Sequence, residues 1–188
     1  MNDNTNTTAN TILANSLLQT KINIEKTINS LVNLIDIAVE HIIANDLNEE
    51  EFLASRIAPD MFDLKKQIQL CSDSTKGFML RVCGVDAPAY KDDEVSFEEL
   101  KSRLIVMLSA LKTVTIDNLQ DKGDLEIVLP WMQFAAPETH LKVGEYLNSF
   151  FIPNFYFHIV AVYMIMRNKG VKIGKMDYIA KLDFTQNV

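Results

Sequence analysis

The sequence predicts an all-α fold, a four-helix bundle with a long crossover before the last helix. Three observations predict it. Apolar residues recur at three, four or seven positions through four long stretches, helix start and stop signals bracket those stretches, and strand-like alternation is confined to one short excursion before the fourth. No fixed period suggests a solenoid. At 188 residues the chain is long enough for one domain with a full core and too short for two comfortable ones.

The first ten residues are polar and rich in Asn and Thr, so residues 1–10 read as a flexible tail. Leu13, Leu17, Ile24, Ile28, Leu31, Ile35, Ala38 and Ile42 then lay one apolar stripe, which predicts the first long helix over Thr11–Ala44. Asn48 followed by three glutamates is a cap with acids against the helix dipole, and predicts a short helix over Glu49–Ser55. Beyond Pro59, Asp60 can cap a second long helix, Met61–Cys83, which Gly84 ends. On that helix Gln67 sits at the edge of the apolar face, while Gln69, Asp73 and Lys76 cluster opposite, as a solvated face or a subunit contact. Ser96-Phe97-Glu98-Glu99 matches a capping box, with Val95 and Leu100 placed for a hydrophobic staple, and opens a third helix that runs to about Thr113. Between Val114 and Val143, Leu125, Ile127 and Leu129 alternate with polar or small residues. Asp121–Asp124 reads as a turn, and Pro130 and Pro137 punctuate the run, so an irregular excursion with room for a short β-hairpin is expected.

The stretch from Phe150 to Tyr178 organises the rest. From Gly144 to Lys169 the one strong break is Pro153, which has no N–H and crowds the Ser149 carbonyl, so a kinked helix with a freed acceptor is expected, stopped at Gly170. The helix is apolar in every direction, which predicts burial by its own bundle on one side and by a second copy on the other, a homodimer. Residues 11–180 therefore read as a single domain and 181–188 as a C-terminal tail.

Composition narrows the function classes. The formal net charge of −7 and the lack of a basic cluster exclude nucleic acid as the expected partner. The N-terminus has neither the basic start nor the apolar core of a signal peptide, and Pro153-Asn154 is expected to interrupt a membrane span, so no membrane and a cytoplasmic location are expected. Cys71 and Cys83 are twelve residues apart on one helix, roughly 18 Å at ~1.5 Å per residue, too far for a disulfide, and read as small buried hydrophobes. No nucleophile elbow, C-x-x-C, H-E-x-x-H or phosphate-binding glycine loop occurs.

Arg56-Ile57-Ala58-Pro59-Asp60-Met61-Phe62, Gln67-Ile68-Gln69, Asp73, Pro153-Asn154-Phe155-Tyr156-Phe157-His158, Tyr163, Arg167, Gly170-Val171 and Ile173-Gly174-Lys175-Met176-Asp177-Tyr178 closely resemble a bacterial family known only as a domain of unknown function, within the DinB/YfiT-like superfamily. The resemblance covers about residues 11–180 and implies a DinB-like four-helix bundle. Many superfamily members bind a divalent ion through a histidine on the second helix and an H-x-x-x-H pair on the fourth, and some are thiol-dependent transferases or isomerases. On that pattern His158 falls on the second histidine of the pair, Asn154 replaces the first, and only Gln67 and Gln69 stand near the second-helix position. Two amides and one imidazole are a poor donor set for zinc or nickel.

Asn154 and His158 are one helical turn apart. His158 reads as a buried histidine donating to the carbonyl freed near the kink, or as a catalytic or ligand group, and Asn154 as bonding to the backbone that Pro153 exposes. Functionally, His158, Asn154, Gln67 and Gln69, with Tyr163 and Arg167, form the expected ligand pocket; as anchors, Arg167 would pair with Asp60 or Asp177. His41 and His140 are expected to be exposed. The leading expectation is a small molecule bound in a mostly apolar bundle pocket with no metal or cofactor. The alternatives are a divalent-metal transferase or isomerase with zinc or nickel on His158, and a pure interaction module.

Overall fold

A computed structural model of the chain describes residues 2–129 and 140–179. The first helix, α1, runs Asn2–Ala44 and so starts at Asn2 rather than Thr11. No Gly or Pro lies between those ends. Asn and Thr cost only about 0.5 kcal/mol each relative to Ala, and adding a residue to an existing helix is far easier than nucleating one. The short α2, Glu49–Leu53, is capped as expected by Asn48, whose side chain accepts from Glu51 N–H at 2.9 Å.

α3, Leu64–Phe78, begins later than expected because Asp63, not Asp60, caps it: Asp63 Oδ1 accepts from Lys66 N–H at 2.9 Å. Its last turn, Met79–Cys83, widens to a π-helix and stops at Gly84, which is left-handed at φ 66°. α4, Phe97–Leu111, starts at Ser96, whose Oγ accepts from Glu99 N–H at 3.3 Å. Glu99 reaches back to the N–H of Val95 at 2.6 Å, one residue before the capping-box position, and Glu49 takes the N–H of Phe97 at 2.6 Å. Val95 stays exposed, so it does not bury its half of the expected staple.

After a 3₁₀ turn at Asp117–Leu119, β1 (Glu126–Val128) pairs antiparallel with β2 (His140–Lys142), Ile127 opposite Leu141, which is the short hairpin the alternation allowed. Pro130, Pro137 and the C-terminal tail at 181–188 lie outside the described residues. β2 leads into one continuous rod: α5 (Val143–Glu145), a π-helical stretch Tyr146–Phe151, and α6 (Ile152–Asn168). The π stretch is the physical form of the expected kink. Pro153 cannot donate, and the Ile152 N–H just before it bonds the Leu147 carbonyl in an i→i+5 pattern. The far end closes on Gly170 at φ 91°, with Val171 N–H on the Met166 carbonyl and Gly170 N–H on the Arg167 carbonyl, both 3.1 Å. A final turn, α7 (Lys175–Tyr178), packs on α1.

The long helices form a ring in which α1 packs on α4, α4 on α3, α3 on α6 and α6 on α1, the α3–α6 contact being the most extensive. The shared core runs from Leu17 and Ile28 through Ile68 and Leu104 to Phe155 and Ile165. α6 is not covered on every side within the chain: Phe157, Val160 and Met164 are 56, 42 and 50% exposed. By length and composition alone, Thr8–Ala44 and Val143–Asn168 would each suffice to cross a membrane, since Pro153 bends the second without breaking it. Each also buries a face inside the bundle. Cys71 and Cys83 are free and buried, and burial raises the Cys83 thiol to about 12.

Candidate ligand pocket between α3 and α6

A cavity of about 700 Å³ lies between α3 and α6. Leu70, Asp73, Ser74, Gly77, Leu80 and Arg81 line it from α3 and its π turn, a spacing of three and four that places them on one face. Tyr146, Phe150 and Phe151 enter from the π stretch, Asn154 and His158 from α6, and Tyr90 and Asp92 from the loop before α4. One end is aromatic and the other is polar.

Hydrogen-bond accounting fixes the polar side chains. Gln67 Nε2 donates to the Phe62 carbonyl at 3.4 Å, so its Oε1 is left to accept from His158 Nδ1 at 2.8 Å. His158 is therefore the Nδ1–H tautomer, with a lone pair on Nε2. The ring is 8% exposed, and burial holds its pKa below the ordinary histidine value, so it is neutral at pH 7. Ser74 Oγ donates to the Leu70 carbonyl at 2.8 Å, so it must accept from Asn154 Nδ2 at 3.1 Å, and Asn154 Oδ1 has no partner among the described residues. Both expectations about the kink are thus corrected. His158 and Asn154 turn to α3 rather than to backbone near Pro153, because Gln67 and Ser74 offer better-placed partners across the helix interface.

The other predicted site residues divide. Gln67 stands behind His158 as its orienting partner. Gln69 is buried but faces away from the cavity, donating to Glu94 at 2.7 Å. Tyr163 packs its ring on Tyr178 at 5.9 Å, and Arg167 donates to the Ile173 carbonyl at 2.7 Å rather than to Asp60 or Asp177. Asp177 instead takes the N–H of Gly174. His140 is exposed beside Glu126, whereas His41 is half-buried, with its ring 6.3 Å from that of Phe52.

Sequence reasoning missed Arg103. It occupies a core position of α4 between Leu100 and Leu104 and is 2% exposed. Its guanidinium meets Asp73 at 2.7 Å, Asp92 at 2.6 Å, Glu94 at 2.9 Å and Ser72 Oγ at 2.9 Å, and lies 4.5 Å over the Tyr90 ring. Lys66 holds the second oxygen of Asp92 at 2.7 Å. Burial would raise Asp92 and Glu94, but the donors from Arg103, Lys66 and Gln69 outweigh it and hold both below their usual range. For Asp73 burial wins over Arg103, and its pKa is raised. Gln69, Asp73 and Lys76 are therefore not simply a solvated face: two of the three are tied to this hub. The signal was available, a lone cation on the apolar stripe Leu100, Leu104, Met107, Leu111 with the acidic run Asp92-Asp93-Glu94 just before it.

Gly77 lets Arg81 fold back along α3, for an added Cβ would lie 2.3 Å from Arg81 Nη1 and 3.7 Å from Tyr146 Oη. Arg81 bonds Tyr146, whose phenol burial pushes up while the guanidinium opposes. Because the obstacle is the end of a flexible side chain, Gly77→Ala is expected to leave melting temperature unchanged or slightly higher, Gly costing about 0.5–1 kcal/mol in a helix. The variant should displace Arg81 and reshape the aromatic end, visible as a change in tyrosine fluorescence; a drop of many degrees would show Gly77 to be a packing necessity.

The divalent ion that the superfamily implies does not fit these donors. Gln67 Oε1 is spent on His158, Asn154 offers a neutral amide, and Asp73 already holds a guanidinium. Among the described residues no three His, Cys, Asp or Glu side chains converge as a metal site would need. No curated protein matches the chain. A solved DinB family member from Shewanella denitrificans is similar, 28% identical over 87% of this chain and 91% of that one, with a TM-score of 0.81. The ring of four helices, the crossover hairpin and that likeness agree with the family model described as Domain of unknown function (DUF1993), which matches residues 19–179, and the chain belongs to that family with a DinB-like all-α fold.

Proposed function

We propose that the protein binds a small molecule in the cavity between α3 and α6. The observation that carries this reading is His158, a ring 8% exposed whose Nε2 lone pair has no partner among the described residues and which borders a cavity of about 700 Å³. Ligand sites are typically about 300–1,000 Å³, apolar with a few placed polar groups. Asn154 and Asp73 supply further polar groups, and Leu80, Phe150 and Phe151 supply the apolar wall. Gln67 is a positioning residue, since it fixes the tautomer without lining the cavity. The test is native mass spectrometry of the protein exposed to a bacterial metabolite extract. A one-to-one adduct lost in Leu80→Trp, which fills the cavity from its rim, supports the reading; no adduct, or one that survives the filling at unchanged melting temperature, contradicts it.

We propose also that a second copy covers the exposed stripe of α6. Phe157, Val160 and Met164 lie at three- and four-residue spacing and border a shallow apolar groove with Ile57 and Met61. A stripe on one helix can meet its own copy across a two-fold axis. Sedimentation at micromolar concentration checks this: a dimer that Met164→Lys converts to monomer supports it, and a 21.3 kDa species alone removes it.

A further inference from the structure

Resting on the pocket reading above, we infer that the ligand is an amphipathic primary amine whose ammonium is received by Asp73, Asn154 and His158 while its apolar body lies along Leu80, Phe150 and Phe151. Most hydrogen-bonding atoms of the polar residues around the cavity are already used. Asp73 gives one oxygen, Oδ1, to Arg103. Asn154 spends its Nδ2 on Ser74, and His158 spends its Nδ1–H on Gln67. What each still offers, Oδ2, Oδ1 and Nε2, is an acceptor, and among the described residues no donor reaches any of the three. An ammonium brings three donors and no acceptor, which matches that set; a carboxylate or phosphate would face it with lone pairs alone.

The charges agree. In the hub beside the cavity, Arg103 and Lys66 make the ion pairs with Asp73, Asp92 and Glu94, two cations on three carboxylates, while Lys76 acts on Asp73 from beyond ion-pair distance. Asp92 and Glu94 have both oxygens engaged, whereas Asp73 Oδ2 takes no hydrogen bond among the described residues. Burial makes the Asp73 charge costly, and an ammonium beside it would offset the cost. Of the cavity's own cations, Arg81 is folded back on Gly77 toward Tyr146, and Lys76, three residues beyond Asp73, acts on it through space without closing to ion-pair distance. His158 contributes as a neutral acceptor; among the described residues no fully buried side-chain nitrogen or oxygen lacks a partner, so its Nε2 is reached from the cavity rather than sealed in the core.

The test compares three probes of equal length, hexylamine, 1-hexanol and hexanoate, by ligand-observed NMR titration at neutral pH. Hexylamine is expected to bind at least about tenfold more tightly than hexanol, and hexanoate more weakly than either. Asp73→Asn keeps an oxygen for Arg103 and should cost hexylamine about tenfold while leaving hexanol unchanged. Asn154→Leu, remote from the Arg103 hub, should reduce hexylamine selectively if Asp73→Asn is found to unfold. Hexanol or hexanoate binding as well as hexylamine overturns the amine inference and leaves the pocket standing, as does amine binding indifferent to both substitutions. Binding of none of the three overturns the pocket reading and this inference with it. Stoichiometric zinc or nickel bound at these residues in place of hexylamine would overturn the amine assignment too.

Discussion

Arg103→Ala is expected to lower the free energy of unfolding by about 3 kcal/mol, near the lower end of what breaking a buried ion pair costs. The side chain is almost wholly buried and holds three carboxylates from α3 and the loop before α4. Removing it leaves Glu94 buried without its cation, whereas Asp73 and Asp92 reach water and recover part of their solvation, which keeps the cost from the upper end. Urea titration should show a lower midpoint with an unchanged slope, and hydrogen exchange should show loss of protection around Asp92 and Glu94. Acid should act on the same place. Asp92 and Glu94 lie below their ordinary values of 3.8 and 4.5 in the folded state. Their contribution is therefore present above those values and lost as pH falls through the lower folded ones. Asp73, raised rather than lowered, works in the opposite direction and softens the loss. A variant as stable as the parent, with the loop equally protected, would mean that the hub is not what fastens the loop.

Phe151→Ala is expected to cost more, about 3–5 kcal/mol, the range for deleting a buried aromatic ring that its surroundings cannot collapse around. Phe151 ends the π stretch and meets three other rings: Phe78 at 5.4 Å, Tyr146 at 6.2 Å and Phe155 stacked at 5.8 Å. These rings come from both sides of the α3–α6 interface, so the cavity left behind is walled by groups already fixed by one another. Phe150→Ala, half-buried on the rim, should cost roughly 1 kcal/mol, in proportion to the smaller area it withdraws from water. Thermal and urea unfolding of the two variants checks the contrast; equal losses would mean that the ring stack is not the keystone of the interface.

Most of the fold was legible because it depends on local signals. The caps at Asn48 and Ser96, the stops at Gly84 and Gly170 and the apolar stripes are properties of a few neighbouring residues, and they set the element order. Helix starts at Asn2 and Leu64 were less legible, since in each case nearly equivalent local choices compete: a tail with no breaker, and Asp63 against Asp60. At the site, His158, Asn154 and Gln67 were visible, but their partners were not. Pairing across helices depends on how α3 and α6 are rotated against each other, and no periodicity reports that angle. The same limit put Tyr163 and Arg167 in the pocket when they serve the C-terminal turn. Arg103 was the one feature whose signal was present and unread: a cation on an apolar stripe must carry its counter-charges with it.

The account rests on His158 being a neutral, fixed acceptor at the polar end of the cavity, and long-range ¹H–¹⁵N correlation NMR of the histidine rings tests that directly, with His158→Gln assigning the signal. One histidine should show a protonated Nδ1 and an unprotonated Nε2, and should take up its second proton only below the ordinary histidine value of 6.5. A His158 protonated on Nε2, averaging between tautomers, or charged near pH 6.5 would contradict the Gln67 pairing and the acceptor-lined pocket built upon it.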